Sequence, residues 1–375
     1  MTTICIDCRY IAARPSGIAE VVRSLVDIVP NLAPDLDFLL LRNPSVCTPL
    51  SQARNVQEII VPQAANGPAT MWWLSHIVNL SGVDLFHAPS NIMPAGLKMP
   101  CITTVHDIMW LTNPRWCNPR PYGRIEQLFY AHGIRRALRR SAAIATVSEA
   151  SRREIMAQCP DAADRIFVAL SGVAADFRPV DIDPCLLESL GLARGRRFVL
   201  VVGQYAPYKN HDGAMRAFAS AFQDIGDIDL VFVQRMGAAS RRLAQLADRL
   251  GLTGRVHILA SIERGALIQL YSAATALLHP SLCEGFGNPV AEAMACGCPV
   301  ITSNVSAMPE VAGGAAILVP PLDKAAIAAA LRQVAAEPAT AREMRAKGIA
   351  RATELSWETF AQQNLNLYRR VLGNI

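Results

Sequence analysis

No stretch of the chain approaches the roughly 18 consecutive apolar residues that signal a bilayer-spanning helix. The start, MTTICIDCRY, lacks a basic segment followed by a long apolar one, so no signal peptide is evident. The expectation is a cytoplasmic protein, with peripheral contact on the inner face of the plasma membrane left open. Charge is also scarce: 18% of residues are charged, and the formal net charge is +5 with a pI near 8.7. So mild a balance, with arginines scattered outside one cluster, carries no footprint for nucleic acid. Aromatic residues make up only 6%, yet hydrophobic residues reach 51%. That excludes a disordered chain and asks for packed cores, two rather than one at 375 residues.

A metal motif is missing as well. The one D-x-D, Asp181-Ile182-Asp183, falls in a segment rich in proline and aspartate that reads as a linker, so no essential metal is expected. The ten cysteines are spread out, mostly in apolar surroundings, and read as buried thiols of a reducing compartment. Cys5 and Cys8 lie three apart in a strand pattern, hence on opposite faces, where they cannot easily share a metal or a disulfide.

What is present is two series of apolar strands alternating with helix-period segments. Residues 3–8, 36–41, 56–61, 83–87, 102–105 and 142–146 read as strands of the first series. Ile18, Val21, Val22, Leu25, Val26 and Val29 fall at helical spacing, so Gly17 marks a strand-to-helix turn. Residues 71–80, MWWLSHIVNL, read as an apolar helix whose paired tryptophans suit a core; the alternative is exposed aromatics for a lipid-borne acceptor. Residues 122–140 read as a long helix with Arg124, Arg135, Arg136, Arg139 and Arg140, either a solvated face or a surface for an anionic partner. The second series comprises 198–202, 230–234, 256–259, 276–278, 299–303 and 317–319.

The second series is organised around residues 279–298, HPSLCEGFGNPVAEAMACGC. A strand pattern runs into a glycine-broken loop with Glu284, Gly285, Phe286 and Gly287, then into a helix that Asn288 can cap and Pro289 can start. Gly297 ends it. Amides of that loop and first turn suit a phosphate-bearing ligand. Glu284 and Glu292 would repel phosphate and are better suited to sugar hydroxyls. In GQYAPYKN, Gly203 ends a strand and an irregular loop brings Lys209 near a helix start, where it could hold an ammonium over a diphosphate; on the residues alone a lysine on an exposed turn is the stronger reading. His106-Asp107 ends another strand, where open parallel sheets place ligands.

The setting E-G-F-G-N-P-x-x-E-A-M-A-C-G resembles the E-x7-E signature of the retaining glycosyltransferases of family 4, enzymes of the GT-B fold. TVHDIMWLTNP is similar to the family's T-x-H-D stretch, and GQYAPYKN to its G-x-x-x-P-R-K-N pattern, with Tyr208 where arginine is common. The resemblance implies an α/β protein of two Rossmann-like domains facing across a cleft: an acceptor-side domain over 1–178 and a nucleotide-sugar domain over 179–355. The helix over 356–375 would cross back onto the first. It implies His106, Lys209 and Glu284 as catalytic residues. Donor contacts would come from Gly17, Gly203, Lys209, Asn210, Glu284, Gly285, Phe286, Gly287, Asn288 and Glu292, with Glu292 on the ribose. The expected partners are a nucleotide-sugar donor and a glycan or lipid-linked acceptor, with no nucleic acid and no cofactor beyond the donor as substrate. The first choice of donor is GDP-mannose, because the sequence resembles bacterial mannosyltransferases of polysaccharide assembly. Another GT-B enzyme, such as a nucleotide-sugar epimerase, or a non-catalytic binding protein is the alternative. Gln234 and Arg235 replace residues that are usually small or polar, and Arg235 could compensate for Tyr208.

Overall fold

The computed structural model describes residues 2–12, 17–118, 120, 123–234, 237–260 and 262–373. The chain forms two compact units, Met1–Gly172 together with Trp357–Ile375, and Val173–Ser356. The division therefore falls before the 178/179 boundary read from the linker composition.

The first unit holds a parallel sheet of β1 (Thr2–Asp7), β2 (Leu36–Arg42), β3 (Val56–Ile60), β4 (Leu85–Ala88), β5 (Cys101–Thr104), β6 (Ala143–Thr146) and β7 (Ile166–Val168). Their order is β3-β2-β1-β4-β5-β6-β7. β4, β5 and β6 are buried at every residue, as strands of a parallel sheet covered on both faces must be. The helix Gly17–Leu32 turns Val21, Val22, Leu25, Val26 and Val29 into this core. The terminal helix Trp357–Gly373 adds Phe360, Leu365, Leu367, Tyr368 and Val371 to the same core, as the sequence reading expected. It is also latched by polar contacts: Nδ1 of the fully buried His87 lies 2.6 Å from Tyr368 Oη, and its Nε2 2.8 Å from Thr104 Oγ1. Burial pulls the His87 imidazole down to about 3, so it is neutral at physiological pH.

The second unit holds β8 (Arg197–Val202), β9 (Ile228–Val233), β10 (Val256–Leu259), β11 (Ala276–His279), β12 (Val300–Ser303) and β13 (Ile317–Val319), all parallel, in the order β10-β9-β8-β11-β12-β13. The helix His211–Phe222 packs Ala214, Met215, Phe218 and Phe222 into its core.

Two sequence readings need correction. The MWW helix runs Pro68–Ile77, and its inward residues are Thr70, Met71 and Leu74, so Trp72 and Trp73 fall on the outer side, 39% and 55% exposed. Asn288 is not the cap of the helix Asn288–Ala295; Gly287, at φ 104°, occupies that position and no side chain caps it. The stop at Gly297 follows the expected pattern, with φ 70° and N–H bonds from Cys298 to Ala293 O and from Gly297 to Met294 O. Cys5 and Cys8 are buried free thiols, both pushed well up, chiefly by burial. Among the described residues no helix is long and apolar enough to cross a membrane.

Candidate active site

In the second unit β8 and β11 are neighbours, and the loops leaving their C-terminal ends meet. Leu282 N–H donates to Tyr208 O at 2.7 Å, tying one loop to the other. After Gly203 a short 3-10 turn, Pro207–Lys209, is closed by Asn210 in the left-handed region (φ 54°, ψ 40°). Asparagine tolerates that conformation better than most residues. Its Nδ2 donates to Pro321 O at 2.6 Å, and glycine at 213 leaves it room, since a Cβ there would sit 2.3 Å from Asn210 Oδ1. The lysine stem then runs back past Gly203, where a Cβ would lie 3.6 Å from Lys209 Cε.

Lys209 Nζ donates to Glu284 Oε1 at 2.6 Å, each side chain 11% exposed. The same oxygen accepts from Ser281 Oγ at 2.7 Å and lies 3.1 Å from His279 Nε2. Burial acts to raise the Glu284 carboxyl, but the Lys209 ammonium and the His279 contact outweigh it and hold it at about 2. Burial pulls the His279 imidazole down, opposed by Glu284. The main chain is held too: Glu284 N–H donates to Ser306 Oγ at 3.1 Å, and that hydroxyl donates to Glu284 O at 2.7 Å. The result is an ionised carboxylate and an ammonium at adjoining strand ends, beside the first turn of the helix Asn288–Ala295. Gly287 suits the point where this loop enters the helix because its φ of 104° is one that other residues rarely adopt; a Cβ there would also displace the end of the Met308 side chain, whose Cε would lie 2.3 Å away.

Glu292 is one turn into that helix and accepts from Tyr271 Oη at 2.9 Å. Burial and the neighbouring Glu292 charge push the Tyr271 hydroxyl well up, so it stays a donor. Phe286 is buried at 5% exposure, while Gly285 and Asn288 are partly exposed. Tyr208 places its ring centroid 5.4 Å from Lys209 Nζ, within cation–π range. Gln234, just past the end of β9, is buried, and among the described residues neither of its amide atoms has a hydrogen-bond partner. Arg235 lies outside the described residues.

His106 and Gly17 belong to the first unit. Gly17 is the first residue of its helix and is exposed. His106 Nε2 lies 3.0 Å from Pro89 O, a group that only accepts, so Nε2 carries the proton. Its main-chain N–H donates to Asn91 Oδ1 at 2.9 Å, and Ser151 Oγ donates to its carbonyl at 2.9 Å. Burial pulls its imidazole down, opposed by the Pro89 bond, which leaves Nδ1 as an acceptor in the neutral ring.

Sequence reasoning did not single out His279, Ser281, Ser306 or Tyr271. His279 and Ser281 were legible as polar residues at the exit of an apolar strand; Ser306 and Tyr271 carry no comparable signal. Nor did it foresee that Lys209 and Glu284 contact each other.

Comparison with known proteins agrees with this architecture. Residues 186–351 match the family described as Glycosyl transferases group 1. The chain is 32% identical over 288 residues to the O-antigen chain mannosyltransferase B of Escherichia coli, covering 76% of this chain and 74% of that protein. Its fold is similar to sucrose-phosphate synthase from Thermosynechococcus elongatus (21% identity, all of both chains, TM-score 0.77). It is also similar to Anabaena HepE in complex with UDP and glucose (18% identity, 99% of this chain and 100% of that one, TM-score 0.75). The two parallel-sheet units are those of a GT-B glycosyltransferase. More narrowly, the chain belongs to the group 1 glycosyltransferase family, with an O-antigen chain mannosyltransferase and a serotype-specific mannosyltransferase of Escherichia coli among its relatives.

Proposed function

We propose that the protein is a retaining, metal-independent hexosyltransferase. It moves mannose from GDP-mannose to a glycan or lipid-linked acceptor in cell-surface polysaccharide assembly. The observation that carries this reading is the buried Lys209–Glu284 pair beside the first turn of the helix Asn288–Ala295. The name of the Escherichia coli relative supports mannose.

On this reading the donor diphosphate takes the Lys209 ammonium and the loop amides, and Glu284, already ionised, accepts from hydroxyls of the transferred sugar. Asn210 and the glycines at 203, 285 and 287 shape the loops, while Phe286 and Asn288 offer main-chain contacts. Glu292, oriented by Tyr271, takes the ribose. The bond from the sugar's anomeric carbon to the diphosphate oxygen breaks, and the acceptor oxygen forms its bond on the same face. The acceptor proton passes to the departing diphosphate. Electrostatic stabilisation of that leaving group carries the rate, so no carboxylate nucleophile is required. His106 is assigned to the transferred sugar on the resemblance of its segment, with neutral Nδ1 as an acceptor.

The test is incubation of pure protein with GDP-mannose and with glucose, rhamnose and fucose donors, with and without lipid-linked acceptor, after chelation of divalent ions. Mannose transfer with retained anomeric configuration is expected. An inverted product, interconversion of the donor without acceptor, or dependence on added metal would each overturn a named part of the reading.

A further inference from the structure

The outward-facing tryptophans belong to a larger surface. Trp72 packs edge-on against Trp73 (ring centroids 6.0 Å) and Phe129 (5.7 Å), and lies 6.1 Å from the His132 ring. Around them Ile77 is 39% exposed, Ile125 73% and Leu128 71%. The helix Pro68–Ile77 is thus joined to the helix Gly123–Arg140 by an apolar surface that solvent reaches. Along the second helix Ile125, Leu128, His132, Arg135 and Arg139 recur three or four residues apart and form one stripe, apolar in its first half and cationic in its second. Arg124, Arg135, Arg139 and Arg140 are exposed, and among the described residues none of them is in an ion pair. The only acidic residue of that helix, Glu126, accepts from Asn118 Nδ2 at 2.6 Å.

We propose that these two helices form a docking face for the surface of an anionic phospholipid bilayer. Tryptophan, apolar in body with one polar N–H, suits the headgroup boundary. Isoleucine and leucine beside it would enter the first acyl carbons, and the arginines would meet lipid phosphates. Charge selects this occupant over a second copy of the chain, because two such faces brought together would oppose arginine to arginine. This inference does not depend on the donor-site reading, since vesicle binding is measured without donor or transfer.

The full-length protein is sedimented with sucrose-loaded vesicles of phosphatidylcholine alone and with about a third phosphatidylglycerol. Binding to the anionic vesicles is expected to exceed binding to neutral ones at least tenfold and to fall with salt. Trp73→Ser with Leu128→Ser should abolish it, and Arg135→Glu with Arg139→Glu should reduce it more than tenfold, each with an unchanged melting temperature. Absence of binding to anionic vesicles at low salt would overturn the proposal, as would binding indifferent to both substitution pairs. So would a dimer of the pure protein, seen by analytical ultracentrifugation, that Trp73→Ser with Leu128→Ser dissolves. If either pair unfolds the protein, Ile125→Gln alone, at the most exposed of these positions, provides the same test.

Discussion

Replacing Glu284 by glutamine keeps the side chain's shape and removes its charge. A carboxyl held at about 2 instead of 4.5 corresponds to about 3 kcal/mol favouring the ionised form, at about 1.4 kcal/mol per pH unit. In Glu284→Gln that stabilisation is gone, and Lys209, 11% exposed, loses its counter-charge. Removing one partner of a buried pair costs about 3–5 kcal/mol, so about 3 kcal/mol is expected here. For a unit of this size each kcal/mol lowers the melting temperature by about 2–4 °C, which predicts a drop of about 6–12 °C in calorimetry. The double variant Lys209→Met/Glu284→Gln should recover most of it, because no unpaired charge remains. The pH dependence has a defined sign. The folded value lies below the unfolded one, so this stability is present above about 4.5 and is lost as pH falls toward 2. The wild-type melting temperature should fall more steeply through that window than that of Glu284→Gln. A drop below about 1 °C, or a double variant no more stable than Glu284→Gln, would refute the reasoning.

Other outcomes follow from the same geometry. Gly287→Ala, at φ 104° and against Met308, should lower the melting temperature by an amount equivalent to about 1–2 kcal/mol or more and reduce transfer, as read by steady-state kinetics. Tyr271→Phe removes the hydroxyl donor to Glu292; on the proposed ribose role, donor KM should rise about fivefold to tenfold with kcat little changed. His87, neutral in the fold at about 3, makes the first unit lose stability as pH falls from about 6.5 toward 3, and that loss should be visible by hydrogen exchange in the terminal helix Trp357–Gly373. Lys209→Met should lower kcat/KM by about 10²–10³, and radiolabelled donor transfer checks it.

Much of the second unit was legible because its rules are local. Gly203, Gly287 and Gly297 sit where the chain changes element, and all three adopt positive φ. The misplaced cap shows the limit: asparagine's side chain suits the position, but the loop demands a φ that glycine adopts more easily, so Gly287 is the cap and the helix starts at Asn288, one residue earlier than expected. The tryptophans were misjudged because an apolar segment of ten residues does not reveal which side meets the sheet; Met71 and Leu74 took that side.

By itself the sequence determined the alternation of strands and helices, the places where the chain must turn, and the residue types available at each strand exit. These depend on steric and hydrogen-bonding limits felt over a few residues. The tertiary structure alone decided that Lys209 meets Glu284, 75 positions away, and that His87 meets Tyr368, 281 positions away. Both follow from which strands and helices become neighbours. β8 lies between β9 and β11, and the burial gained by covering whole sheets, a property of the assembled core, sets that order.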